Sequence, residues 1–254
     1  MKITCLVENT CYNENLECEH GLSLFIETEK AKILFDMGQT ELFYKNALKL
    51  GIDIADVDFA VLSHGHYDHG GGLKKFLEVN KTAPVYINRF AFEPHFNGTE
   101  KYIGLDTDIR NNNRLIFIDD EFTINESCSL FSCNNKERTR YLGSFGLNME
   151  IDGKLVPDDF RHEQYLLIEE KNTKTLISGC SHKGIMDITD WFRPDNLIGG
   201  FHFSKIDPGE ELSLYADYLN GFKTEFYTCH CTGTSQFNHM NKLHYLSCGE
   251  KIEI

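Results

Sequence analysis

The sequence predicts an α/β protein in which two mixed β-sheets pack face to face with helices outside. Three observations lead there. The first third of the chain opens with strand-like alternation and then turns to strand–helix units. The last third carries strand-rich and strand–helix parts as well. The short, wholly apolar run Phe59-Ala60-Val61-Leu62 reads as a buried strand.

Residues 2–8 and 22–27 alternate as strands, and 32–35 continue the pattern before Asp36-Met37-Gly38. Thr40 can cap a helix running to about residue 50, with Leu42, Phe43, Ala47 and Leu50 on one side. The strand at 59–62 leads into a Gly-rich turn, a helix over about 73–79 and a strand at 85–87. Residues 90–112 are polar and aromatic and end in Asn111-Asn112-Asn113. They read as a long loop or insertion over a site. Strands return over 114–133, and 134–162 form a second irregular region rich in Arg and Gly. Residues 165–169 and 175–178 are strands joined by the turn-like Lys171-Asn172-Thr173. A helix over about 184–192 and a strand at 196–200 follow. Asp207-Pro208-Gly209-Glu210 then opens a helix, with Asp as cap, Pro first and Glu three after the cap. A strand at 224–227, a helix near 236–243 and a last short strand complete the chain.

No linker or low-complexity stretch interrupts the 254 residues, so one domain over 1–254 is expected, with active-site loops near 90–112 and 134–162. Lys and Arg total 25 against 39 Asp and Glu, a net charge of −14. A general nucleic-acid-binding surface is therefore not expected, although a local basic pocket is allowed. No apolar run approaches the ~18–20 residues of a membrane span, and the N-terminus reads as a strand, not a signal peptide. Nine cysteines, an odd number without C-x-x-C spacing, read as free thiols of a cytoplasmic protein.

Chemistry concentrates in Ser63-His64-Gly65-His66-Tyr67-Asp68-His69-Gly70-Gly71, directly after the buried strand. Three histidines and an aspartate within six residues offer the imidazole and carboxylate ligands that zinc and similar divalent metals prefer. On a strand, 64 and 66 would share a face. In the turn that follows, 68 and 69 can point at a second metal. Gly65 and the glycines at 70–72 permit the tight backbone this requires.

These residues resemble the H-x-H-x-D-H motif of the metallo-β-lactamase superfamily. Asp36 lies in a segment similar to the one in which an Asp supports the metal site. The resemblance implies an αβ/βα four-layer sandwich with metals in a groove at one edge. It assigns His64 and His66 to a first metal, and Asp68 and His69 to a second. The superfamily's usual third and fourth motifs are absent or replaced. In their place stand G-C-S-H-x-G-I at 179–185, G-G-F-H at 199–202 and H-C-T-G at 230–233. That set resembles a subgroup that includes archaeal dihydropterin ribofuranosylaminobenzene phosphate synthases and proteins described only as metal-dependent hydrolases.

His182, just past a strand end, is expected to complete the first metal's ligands. His230 takes the place of the superfamily's last ligand. Cys180 stands near the usual bridging Asp, where a thiolate would suit zinc and a buried inert thiol fits equally. Cys229 and Cys231 read as packing. His202 reads first as a substrate contact, with a metal ligand or a core histidine as the other readings. Lys183 is a second substrate-side candidate, with a solvent-facing helix lysine as the plainer reading. His162 or Glu163 could supply a ligand from the 158–163 segment, which otherwise reads as a charged loop. Arg138 and Arg140 read as a solvated loop, with recognition of an anionic substrate as the alternative, and His95, His239 and His244 as surface or packing residues.

Two divalent ions, zinc by first choice and iron or manganese otherwise, can share a water and lower its pKa toward ~7. The hydroxide so formed would attack a phosphoester, lactone or thioester, with Asp68 as proton acceptor or shuttle. The expectation is a binuclear hydrolase of a small molecule, a phosphoester or related electrophile, an anionic one being allowed. Two alternatives stand beside it: a lyase- or transferase-type synthase acting on a phosphoribosyl or pterin-like metabolite, and a noncatalytic metal- or ligand-binding protein.

Overall fold

A computed structural model of the chain describes all residues except 237, 238, 241 and 242. One seven-stranded sheet runs Lys251–Glu253, Lys2–Val7, Ser23–Glu27, Lys32–Phe35, Phe59–Val61, Val85–Asn88 and Leu115–Ile118. The second runs Leu243–Tyr245, Glu225–Thr228, Asn196–Gly199, Thr173–Ile177, Tyr165–Glu170, Cys128–Phe131 and Glu121–Thr123. Each sheet is antiparallel on one side and parallel on the other. Parallel neighbours need a crossover. Leu42–Lys49 and Leu73–Val79 supply it in the first sheet, Ile185–Phe192 and Glu210–Asn220 in the second.

The strand periodicity places side chains on both faces of each sheet. Ile33, Phe35, Phe59 and Val61 point inward and meet Leu130, Leu166, Ile168, Ile177 and Ile198 of the second sheet. Leu34, Ala60, Val85 and Ile87 point outward and pack on Phe43, Ala47, Leu73 and Phe76 of the helices. Leu176, Leu197 and Phe226 do the same against Ile185, Ile188, Leu212 and Ala216. Three apolar layers thus separate four structural layers, giving the αβ/βα sandwich.

The strands and helices near the motif lie where the sequence puts them, within a residue or two. Two expectations are corrected. Residues 90–112 and 134–162 are not bare loops. Their strands His95–Asn97, Lys101–Tyr102, Leu147–Ile151 and Lys154–Pro157 join in a third, four-stranded sheet. These strands are two to five residues long and mostly exposed, so they carry no apolar alternation to read. The helix expected to open at Asp207 begins at Glu210, with Gly209 at its cap position and no side-chain cap bond. Glu210 and Glu211 in its first turn complement the helix dipole instead. The helix expected near 236–243 falls partly outside the described residues.

Leu166 is fully buried between the two sheets. Leu166→Ala is expected to lower unfolding free energy by about 2–5 kcal/mol, read from urea denaturation. A loss below about 1 kcal/mol would show that the inter-sheet layer does not carry the fold.

Candidate metal centre

Strand Phe59–Val61 pairs in parallel with Lys32–Phe35, so their carboxyl ends lie side by side. Asp36 follows one and Ser63 the other. The Asp36 backbone takes φ 57°. Its buried carboxylate accepts the Ser63 N–H at 2.7 Å, the Ser63 hydroxyl at 2.7 Å and His69 Nδ1 at 2.6 Å. The Ser63 hydroxyl, having donated to Asp36, accepts from His64 Nδ1 at 2.8 Å. One carboxylate therefore sets two rings, each held by Nδ1 with Nε2 left as the free edge. Gly179 approaches this pair so closely that a Cβ there would lie 2.2 Å from Ser63 Oγ.

His182 follows strand Thr173–Ile177 of the second sheet. Its ring stacks on Phe160 at 4.3 Å between centroids and 6° between planes. Its backbone N–H donates to Glu163 Oε1 at 2.7 Å. His230 follows strand Glu225–Thr228. Its backbone N–H donates to Glu8 Oε1 at 2.6 Å, and its Nδ1 faces Asn9 Oδ1 at 2.9 Å.

Several overlapping groups of donors lie within 4.8 Å among the described residues, and two adjacent sets take in the six expected ligands. His64, His66 and His182 offer ligand atoms within 4.8 Å of one another. His64 Nε2, His66 Nε2 and both ring nitrogens of His182 are enclosed and lack hydrogen-bond partners among the described residues. Beside them, His69 Nε2 lies 3.3 Å from His230 Nε2, and Asp68 Oδ2 lies 3.4 Å from His230 Nε2 and 3.9 Å from His69 Nε2. Cys180 Sγ stands 3.2 Å from His69 Nε2. Tetrahedral metal bonds of ~2.0–2.2 Å hold neighbouring ligand atoms roughly 3.3–3.6 Å apart. Buried imidazole nitrogens within 4.8 Å of one another and without partners among the described residues, beside a second set of donors at 3.3–3.9 Å, fit divalent metal ions.

All six residues expected as ligands, His64, His66, Asp68, His69, His182 and His230, converge here. Cys180 stands between the sets. His202 lines the same cavity of about 250 Å³, its two ring nitrogens unpartnered among the described residues. Lys101, Lys205, Asn97, Ile103, Phe145 and Leu147 complete much of the wall.

Lys183 is a correction. It is neither at the cavity nor in solvent. It is fully buried, and Nζ donates to the carbonyls of Ser132 at 2.5 Å and Glu163 at 2.8 Å. Burial pulls its pKa down to about 8. The 158–163 segment reaches the centre, and its Asp158 and His162 join His66 and His95 in a further buried group of ligand atoms within 4.8 Å of one another. Glu163 Oε1 and Oε2 accept the His182 and Lys183 N–H groups, and His162 is bonded through both ring nitrogens. Arg138 donates to the Asp159 carbonyl, and Arg140 lies over the Tyr218 ring. Cys229 packs between the sheets, whereas Cys231 lines the cavity and accepts the His202 N–H.

His20 is a participant that the sequence did not reveal. Its Nε2 lies 3.2 Å from Asp68 Oδ2, and its ring is 4.8 Å from that of His230. It stands alone in the sequence, so no spacing marks it. His95 is buried, not on the surface, and its Nδ1 contacts Asp158 Oδ2 at 2.9 Å.

Burial holds His64, His66 and His182 well below the ordinary imidazole value of 6.5, and brings His162 to about 4. They remain neutral, the form that binds metal. Burial pushes Asp68 up, but His69, His20 and His230 outweigh it and hold the carboxyl well below the carboxylate range. Asp158 is lowered likewise: His162 and His95 overcome its burial. His69 runs the other way, because Asp36 and Asp68 overcome its burial and raise it.

The unfolded chain would protonate the four lowered imidazoles near pH 6.5 and the carboxylates near pH 4, where the folded chain resists. The unfolded state then binds more protons, so stability falls as pH drops. The urea midpoint of metal-free protein is expected to fall steadily from pH 7 to pH 4.5, offset only in part by His69. A flat or rising midpoint would contradict the buried, neutral histidines.

Comparison with known proteins agrees with this geometry. The family model of the metallo-beta-lactamase superfamily matches residues 16–219. The chain is 29% identical to the uncharacterized protein MJ0448 of Methanocaldococcus jannaschii over 250 residues, covering 95% of this chain and 94% of that one. It is 30% identical to that organism's 7,8-dihydropterin-6-methyl-4-(beta-D-ribofuranosyl)-aminobenzene-5'-phosphate synthase, covering 92% of this chain and 88% of the relative. The crystal structure of Tm1679, described as a metal-dependent hydrolase of the beta-lactamase superfamily, superposes with a TM-score of 0.84 at 28% identity, covering 100% and 99% of the two chains. The chain belongs to the metallo-beta-lactamase superfamily.

Proposed function

We propose that the protein is a binuclear metal-dependent hydrolase of a small, anionic electrophile, a phosphoester being the first candidate. The observation that carries this reading is the pair of adjacent donor sets, with unpartnered buried nitrogens, opening on one cavity. His64, His66 and His182 would hold one ion. Asp68, His69 and His230 would hold the other, with Cys180 beside both.

Two such ions supply Lewis acidity and a water acidified to near neutrality. The chain's own residues do the rest. Asp68 is the candidate proton acceptor, and His20 Nε2, 3.2 Å from its Oδ2 on an exposed side chain, would pass the proton to solvent. Lys101 and Lys205 at the cavity wall attract the anion in a chain that is otherwise acidic. His202 and Phe145, with ring centroids 5.2 Å apart, flank the substrate body. Nine free thiols suit a reducing compartment such as the cytoplasm, with a small molecule as partner, not a nucleic acid or a membrane.

The 30% identical synthase favours a second reading, a lyase- or transferase-type enzyme for a phosphorylated or pterin-like metabolite. Release of pyrophosphate from a phosphoribosyl donor would distinguish it.

Zinc-loaded protein is expected to turn over a chromogenic phosphodiester, and Asp68→Asn to lower kcat by about 10²–10⁴-fold. Lys101→Gln should raise KM and spare kcat. Absence of turnover on phosphoester, lactone and thioester probes alike would overturn the hydrolase reading.

A further inference from the structure

Two thiols that take no step in the proposed hydrolysis stand at the cavity. Of the nine free cysteines, Cys180 and Cys231 are the two that line it. Cys180 follows strand Thr173–Ile177, and Cys231 follows strand Glu225–Thr228. Strand Asn196–Gly199 runs between them and pairs with both. Chains two strands apart are separated by about 9–10 Å, too far for side chains as short as cysteine to meet across an ordinary residue. Here the middle strand ends in Gly199-Gly200, which puts no side chain into the gap. A Cβ at Gly200 would lie 2.4 Å from Cys231 Sγ. The sulfur occupies the space that a side chain would take, and it donates to the Cys180 carbonyl at 3.6 Å. The two Sγ atoms and a ring nitrogen of His202 all lie within 4.8 Å of one another.

We infer that Cys180 and Cys231 are a redox pair, closed to a disulfide by a peroxide that enters the cavity and reopened by a dithiol. A disulfide holds its sulfurs about 2.05 Å apart. Rotation about the two Cα–Cβ bonds brings them together over Gly200. Cys231 reacts first, because the His202 N–H donates to its Sγ at 3.2 Å and favours the thiolate, the reactive form. Its sulfur attacks one peroxide oxygen and the O–O bond breaks. One water leaves, and Cys231 becomes a sulfenic acid. The Cys180 sulfur then attacks the Cys231 sulfur. The S–S bond forms, and the sulfenic oxygen leaves with the Cys180 proton as a second water. The two thiols lose two electrons, and the peroxide is reduced to two waters. Cys5, Cys128 and Cys229 are packed between the sheets, so a solute in the cavity does not meet them.

The test treats the full-length protein, as purified, with hydrogen peroxide at a concentration that oxidises the exposed Cys18. Iodoacetamide then blocks the remaining thiols, and the digest is mapped by mass spectrometry. The expected product is a pair of peptides joined through Cys180 and Cys231, lighter by two hydrogens than the reduced pair. Dithiothreitol should separate them. In Cys180→Ser, shown to be folded by urea denaturation, Cys231 should stop at the sulfenic acid and be trapped by dimedone. Recovery of Cys180 and Cys231 as alkylated free thiols would overturn the inference. So would single oxidation of either without a link, or a link through another cysteine such as Cys5 to Cys248. The wild-type map decides the matter even if the variant fails to fold.

Discussion

The Asp36 carboxylate is the constraint on which the site depends. It is buried and accepts three hydrogen bonds, two from Ser63 and one from His69. A buried carboxylate without such partners would be costly, so the strand ends at 35 and 61 must stay in register to supply them. Their parallel pairing does so, and the Asp36 N–H adds a bond to the Val61 carbonyl at 2.9 Å. Through Ser63 the same carboxylate reaches His64. One ligand of each proposed ion is thus fixed by one oxygen pair.

The second sheet mirrors this arrangement. His182, His202 and His230 each follow a strand of its parallel half. Ligands in α/β sheets gather at the carboxyl ends of parallel strands because crossover connections leave that edge open. Here two such edges face one another, and the inter-sheet apolar layer holds them at a fixed distance. The electrostatics follow from that burial. Neutral imidazoles and ionised Asp68 are crowded together, an arrangement that a cation would complete. The net charge of −14 says little about this cavity, where Lys101 and Lys205 stand at the wall.

Much of this was legible in the sequence, for a physical reason. His64, His66, Asp68 and His69 sit in one turn, so local spacing reports them. His182 and His230 each follow a strand with buried apolar positions, and a polar ligand type at a strand end is a readable signal. His20 and His95 gave no such signal. His95 meets Asp158 across 63 positions, and the strands that bring them together are too short and exposed to show a pattern. Lys183 misled because a charged residue beside a ligand suggests substrate, whereas its ammonium group secures two carbonyls in the core.

The central claim is that two adjacent donor sets each hold a metal ion. Elemental analysis of purified wild type and His182→Ala, both reconstituted with zinc, tests it most directly. The account predicts close to two ions per chain in wild type and close to one in the variant. Two ions in both proteins would remove His182 from the ligands, and one ion or none in wild type would contradict a binuclear centre.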